Sequence, residues 1–398
     1  MSLAQRLDRL RGKATSDDAA AGAVSTAGVP LSAAAHPPDH RAADLARALG
    51  GQLVDGVVQV SRHWRPAGGA AVDLGALDRL PEVFGSGASD WVYLDTETTG
   101  LSGGVGTLVF MVGVARLDAN GLLQVRQFVL TAFASERALL QQVVDWIGGN
   151  ALIVSYNGKC FDMPLLQARL RMHHITHGLG ALRHLDLMYA VRCAFRTVWP
   201  DCRLQTAERR LLGHVRTADL PGSAAPTAWL RWLRERHAQM LADVARHNFD
   251  DVVSLARLHA ALPSVFAGEH PVAGDASAIG RAWWRYGHDA RAQALWETVL
   301  PCLDEAAGLQ LAAMYRRKSD WARATALWQR LARAGSAVAA CELSKYYEHR
   351  MRDPALALTY AVDCRPVERS ARVARLQRKL ASGPQLSFWP PASANAMK

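Results

Sequence analysis

The sharpest hydrophobic pattern in the chain starts at Trp91, where Trp91-Val92-Tyr93-Leu94 forms a short β-favouring run. After a Gly-rich stretch, Thr107 to Leu117, the turn Asp118-Ala119-Asn120-Gly121 and Leu122 to Leu130 complete three strands of a predicted meander. Ser135, placed as an N-cap, opens an apolar stripe at helical spacing that runs to Ile147. Ala151 to Tyr156 then reads as a buried strand, Pro164 to Met172 as a helix, and His184-Leu185-Asp186-Leu187 as a further strand. Helical periodicity continues to Leu262. Three hairpin strands followed by alternating helices and strands predict an α/β domain over residues 91–265, a mixed sheet flanked by helices.

The pattern is weaker on either side. Residues 1–45 open with Leu3, Leu7 and Leu10 at helical spacing, then lose all period in Ala, Ser, Asp, Gly and Pro, the composition of a disordered or weakly helical tail. A helix-like stretch from Ala42 to Leu49, a Gly50-Gly51 turn and an alternating run from Leu53-Val54 to Val60 lead into residues 46–90, an N-terminal extension whose role the pattern leaves open. Beyond residue 275 every periodic segment is helical, and Ala294-Leu295-Trp296 recurs as Ala326-Leu327-Trp328 after segments bearing Tyr286 and Tyr315. A worn third copy has Tyr346-Tyr347 and Ala357-Leu358. A period in the low thirties predicts stacked paired-helix repeats over 275–380, with an ordinary helical bundle as the alternative and 381–398 as a second tail.

Length and charge narrow the function. A chain of 398 residues exceeds what one core organises, so two folded units and some unfolded sequence are expected. A net charge of +10, with arginine far outnumbering lysine, suits a polyanionic partner, although compositional bias alone would give the same excess. The six cysteines show no C-x-x-C or Cys/His ligand spacing and read as reduced thiols of a cytoplasmic protein. No apolar run reaches bilayer length, so no membrane association is expected.

The candidate chemistry lies in three acidic elements. The strand ending at Leu94 runs into Asp95-Thr96-Glu97-Thr98-Thr99-Gly100, and alternation in extended chain points Asp95 and Glu97 to one side. Adjacent carboxylates repel unless a cation lies between them, and oxygen-only ligation favours Mg²⁺ or Mn²⁺ over zinc. Next, a buried strand ends in Ser155-Tyr156-Asn157-Gly158-Lys159-Cys160-Phe161-Asp162, with Asp162 at a helix start, where an acid also gains from the dipole. Finally, His247 and Asp251 stand at i and i+4 on one helix face, with Asp250 directed elsewhere.

In order and spacing these elements, D-x-E-T-T-G, N-x-x-x-F-D and a His before the last Asp, resemble the motifs of the DEDD (DnaQ-like) 3′-to-5′ exonuclease superfamily over residues 91–262. The N-x-x-x-F-D form followed by Leu165-Leu166 looks most like the proofreading domains of family B polymerases and the YprB-like ribonuclease H-like proteins. The resemblance implies a ribonuclease H-like mixed β-sheet flanked by helices, followed by an all-α TPR-like helical repeat region. It also implies two Mg²⁺ or Mn²⁺ ions held by Asp95, Glu97, Asp162 and Asp251. His247 is the implied base, at the spacing of the tyrosine subclass, four positions before the final Asp; the histidine subclass has one more residue between them.

The implied activity is phosphodiester hydrolysis from a single-stranded DNA or RNA end, with cations roughly 4 Å apart on the scissile phosphate. Substrate contacts are expected from Asn157, Lys159, Phe161, Arg203, Arg209 and Arg210, with Tyr156 or Phe161 available to stack on a base, although Phe161 is expected in the core. Asp186 is a second-rank acid, expected to hold structure by hydrogen bonds ahead of the alternative of touching the metal shell, and the loop from Leu101 to Gly106 either lets a nucleotide approach the backbone or serves as a flexible hairpin lead-in. A second class of function is a retired nuclease, weak or inactive, that binds nucleic acid or serves as a scaffold and docks a protein partner on its repeats.

Overall fold

The alternating apolar runs between residues 52 and 186 form one sheet, because each strand has a face that only a covering helix layer removes from water. A computed structural model describes residues 40–65, 72–100, 106–217 and 219–382. The expected tails therefore fall almost wholly outside the described residues, as do residues 101–105 of the Gly-rich loop. The sheet contains β1 (Gln52–Val54), β2 (Val57–Trp64), β3 (Trp91–Thr98), β4 (Val109–Leu117), β5 (Leu123–Leu130), β6 (Leu152–Ser155) and β7 (His184–Asp186). Its order is β1-β2-β5-β4-β3-β6-β7, with β6 and β7 parallel to β3 and the other pairs antiparallel.

Two features of this order prepare the site. The expected meander β3-β4-β5 is present, and the run at 52–64 adds two strands to its outer edge by pairing β2 with β5 along its whole length. The carboxyl ends of β3, β6 and β7 lie together because these strands are parallel, and in open α/β sheets that edge is where ligands bind.

Helices cover both faces. Val92, Leu94 and Ile153 pack with α2 (Glu136–Ile147), α3 (Asp162–Met172) and α6 (Ala225–Glu235), while α1 (His40–Leu49) lies over the outer strands. Ser135 heads α2 as expected, but its hydroxyl caps no backbone N–H; a short 3₁₀ turn over Phe133–Ser135 leads the chain in instead. The other face carries Trp91, Tyr93, Val154 and Leu185 against α4 (Leu187–Phe195), α5 (Leu204–Leu211) and the 29-residue α7 (Gln239–Ala267). His259 of α7 is fully buried there. Its Nε2–H donates to the Leu77 carbonyl (2.8 Å) and Tyr93 O–H donates to its Nδ1 (3.2 Å). Burial depresses its pKa to about 4, so it serves packing as a neutral imidazole.

The same core continues into an all-α region: α8 (Ala276–Arg285), α9 (Asp289–Thr298), α10 (Glu305–Arg317), α11 (Trp321–Arg333), α12 (Ala337–His349), α13 (Pro354–Ala361) and α14 (Pro366–Ala381). Side-chain caps from Asp275, Asp304, Asp320, Ser336 and Asp353 start α8, α10, α11, α12 and α13. The two recurring tryptophans, Trp296 in α9 and Trp328 in α11, are both buried between helix pairs. Gly280 is the residue that lets α9 approach α8, since a Cβ there would lie 2.1 Å from the Trp296 Nε1. In the last pair the Glu348 carboxylate, its side chain without solvent exposure, meets Arg372, Arg375 and Lys379 of α14. Among the described residues no helix is long and apolar enough to cross a membrane.

Candidate nuclease site

The acidic edge is assembled from β3, the turn after β6, and α7. Strand alternation places Asp95 and Glu97 on the α7 side, as their spacing required. A row across the sheet shows how Asp95 is held: Asp95 pairs with Gly113, and Gly113 with Gln127. Because Gly113 has no side chain, the fully buried Asn248 of α7 fits into the gap; a Cβ at Gly113 would come within 2.2 Å of its Oδ1. Gln127 Nε2 donates to Asn248 Oδ1 (2.9 Å), which turns Asn248 Nδ2 toward Asp95 Oδ2 (2.8 Å). The orientation of Asp95 is thus fixed from β5 through one amide.

Asp162 arrives by a different route. Asn157 adopts a left-handed conformation (φ +66°), and the buried Asp186 fastens the turn by accepting from Asn157 N–H (2.7 Å) and Lys159 N–H (3.1 Å). Asp186 also accepts from Met188 N–H (3.1 Å), so it caps α4 and secures the acid turn together. Gly158 is required here, since a Cβ would lie 2.4 Å from Ser155 Oγ and 2.9 Å from Asp162 Oδ2. Asp162 then opens α3, with Thr96 O–H donating to its Oδ1 (2.5 Å).

On α7, His247 and Asp251 share a face, with Nε2 3.4 Å from Asp251 Oδ2. Glu97, His247 and Asp251 each offer a ligand atom within 4.8 Å of the others, a spacing that could hold a metal ion. Burial, and then the charges of Asp251, Asp162 and Glu97, raise the pKa of Asp95 well above the carboxylate range. Glu97 is raised in the same way by burial, Asp251 and Asp162. Burial pushes Asp162 up to about 6 against the Thr96 hydrogen bond. Four acids from three separated segments therefore sit within one another's field.

The loop between α5 and α6 adds groups that no motif indicated. Arg216 makes a bidentate contact to the buried Glu208 (3.0 and 2.5 Å), ion-pairs with Asp251 and comes within 3.4 Å of Asp219. Burial opposes its charge, but Glu208 and Asp251 offset this and hold its pKa above the ordinary value. Burial raises Asp251 despite Arg216 and His247. His247 Nδ1 lies 2.6 Å from Asp219 Oδ1, so Nδ1–H donates to that carboxylate and Nε2 faces the acids. Arg216, Asp219 and Glu208 lie outside the periodic stretches that carry the motifs. Asn248 is one of several polar residues on the buried face of α7, with Ser254 and His259, so its sequence position alone did not single it out.

The expected substrate contacts divide. Lys159 is tied to Glu82 (2.7 Å), whereas Arg203, Arg209 and Arg210 are exposed. Phe161 is not in the core: it is 54% exposed, because the turn that delivers Asp162 rotates the preceding side chain outward. Tyr156 is half-buried and donates from its hydroxyl to the Cys202 carbonyl (2.5 Å), so it braces the site and is not free to stack.

A raised carboxyl pKa has a consequence for stability. Such a group favours the folded chain while protonated, below its ordinary 3.8, and that contribution is lost as pH rises through about 6 for Asp162. Bound Mn²⁺ would relieve the same repulsion. Its effect on the melting temperature is therefore expected to grow between pH 5 and 7.5. Differential scanning calorimetry with and without Mn²⁺ checks this; an equal shift at both pH values contradicts it.

This sheet order, with acids gathered at the carboxyl end of β3, defines a ribonuclease H-like protein, and residues 92–262 match the model of the RNase_H superfamily. The chain is 30% identical over 314 residues to the "Uncharacterized protein YprB" of Bacillus subtilis (strain 168), covering 73% of this chain and 75% of that protein; it belongs to the YprB family. Half of the chain also aligns with the family B DNA polymerase of the archaeon Pyrobaculum calidifontis, at 17% identity and a TM-score of 0.33, spanning 29% of the polymerase.

Proposed function

We propose that the chain is a metal-dependent nuclease that removes nucleotides from the 3′ end of a single strand of DNA or RNA. The observation that carries this reading is the convergence of Asp95, Glu97, Asp162 and Asp251 from three separated segments, Glu97 buried and the others partly buried, close enough that each acid's pKa is raised. Cations held between them would relieve that repulsion. Their hard oxygen donors fit Mg²⁺ or Mn²⁺, with Asp95, Glu97, Asp162 and Asp251 as ligands. When bound, such cations offset the charge of the scissile phosphate and make an attacking water more acidic.

The protein's own groups supply the rest. His247 Nε2 takes the proton of the water, with Asp219 on Nδ1 fixing the ring and stabilising the imidazolium that forms. Asn248 and Thr96 hold Asp95 and Asp162 in place. Arg203, Arg209 and Arg210 meet phosphates, Asn157 and Lys159 line the approach beside the acid turn, and the exposed Phe161 stacks on a base. The helical region is read as TPR-like repeats that present a face to a protein partner.

The full chain incubated with 5′-labelled single-stranded RNA and DNA should give a ladder shortened from the 3′ end with Mn²⁺ and none with EDTA. Intact substrate of both kinds, with either Mg²⁺ or Mn²⁺, overturns the reading. His247→Ala is expected to lower the single-turnover rate by on the order of a hundredfold, the usual contribution of a positioned base. Asp219→Asn should lower it about tenfold while leaving Mn²⁺ binding unchanged, as a ring-orienting partner would. A wild-type rate for Asp219→Asn removes that role.

A further inference from the structure

Beyond the acidic edge, cationic and aromatic side chains form a stripe along α4. Tyr189, Arg192 and Arg196 recur at spacings of three and four residues, which places them on one helix face, and all three are exposed. The first of them adjoins the acid turn, since Tyr189 O–H lies 3.3 Å from Cys160 Sγ and its ring lies 5.7 Å from the Lys159 ammonium. At the other end, Arg192 and Arg196 line a cleft with Arg203.

The cleft is built on a rigid floor. Trp199 stacks on Phe195 with centroids 3.8 Å apart, and Arg210 lies over the Trp199 ring. Its acid, Asp201, lines the cleft beside Arg203, and Thr206 O–H (2.6 Å) and Arg203 N–H (3.0 Å) both donate to its Oδ1. The Tyr156 hydroxyl on the Cys202 carbonyl ties this loop to the end of β6, where the acid turn begins. Arg192, Arg196 and Arg203 have no ion-pair partner among the described residues.

We propose that the α4 stripe and its cleft bind the phosphate backbone of a single-stranded nucleic acid whose end lies at the acidic edge. The proposal rests on the nuclease reading and adds the path of the strand. Guanidinium forks match phosphate oxygens, and a ring at the near end supplies the stacking that single strands use. Continuity with the acid turn favours a polynucleotide over an acidic peptide, since a peptide would give Phe161 and Tyr189 no bases to stack on.

The test is fluorescence anisotropy of a labelled 15-nucleotide oligo(dT) with the full chain in EDTA, at several salt concentrations, comparing wild type with the triple variant Arg192→Gln, Arg196→Gln, Arg203→Gln. Three lost phosphate contacts should flatten the slope of log K against log salt by about 2, at about 0.7 per contact, and weaken binding at low salt by tenfold or more. The melting temperature and Mn²⁺ binding of the variant should match wild type, which separates this result from damage to the fold or the acids. An unchanged slope in a folded variant overturns the proposal, as does equal competition by poly-glutamate of matched charge. If the slope flattens but wild type cleaves nothing with Mn²⁺, the strand path stands and the nuclease reading falls.

Discussion

Asp95→Asn is expected to lower hydrolysis by on the order of a thousandfold or more, the loss of several kcal/mol of charge stabilisation at the phosphate. The substitution isolates charge from shape. An asparagine at this position still accepts the Asn248 amide through its Oδ1, so the row from Gln127 to β3 keeps its hydrogen bonds. In the metal-free chain the same change relieves the repulsion that Asp251, Asp162 and Glu97 impose on the site. Its melting temperature in EDTA should therefore equal or exceed that of wild type, while the stabilisation by Mn²⁺ should shrink. Rate and melting temperature move in opposite directions only if the acids are arranged for cations. If Asp95→Asn cleaves at the wild-type rate, the ligand assignment is wrong.

The largest effect on stability is expected at Glu208 and Arg216. Both side chains are almost fully buried, and Arg216 is the positive group among Glu208, Asp219 and Asp251. Arg216→Met leaves Glu208 buried without its bidentate partner and removes the group that opposes the raised pKa of Asp251. Breaking such a pair from one side costs about 3–5 kcal/mol. The urea midpoint should fall accordingly with an unchanged m-value. The double variant Arg216→Met, Glu208→Leu should recover much of that loss, because no unpaired charge is then left at position 208. An Arg216→Met midpoint within experimental error of wild type would show that the network is not buried in solution.

The fold was legible wherever one face of an element had to be hidden. The β3-β4-β5 meander, the buried run before Asn157 and the stripe of α7 all read directly as periodicities, because burial imposes a period of two or of about 3.6. The edge strands at 52–64 were less legible: β1 is exposed throughout and only part of β2 is buried, so the sequence there carries weak alternation. At the site, Asp95 and Glu97 could be placed on one side from strand geometry alone, and His247 and Asp251 from helical spacing. Groups that act through loops were not legible. Arg216 and Asp219 have no periodic neighbours, and the packing of α5 and α6 against α7 brings them to His247. Phe161 misled for a related reason, since a hydrophobic residue in a tight turn goes where the turn aims it.

Anomalous diffraction from crystals of the full chain soaked in Mn²⁺ tests the central claim most directly. The account predicts manganese density in contact with carboxylate oxygens of Asp95, Glu97, Asp162 and Asp251. Manganese absent from these four side chains, or bound only at other surface acids, would contradict it.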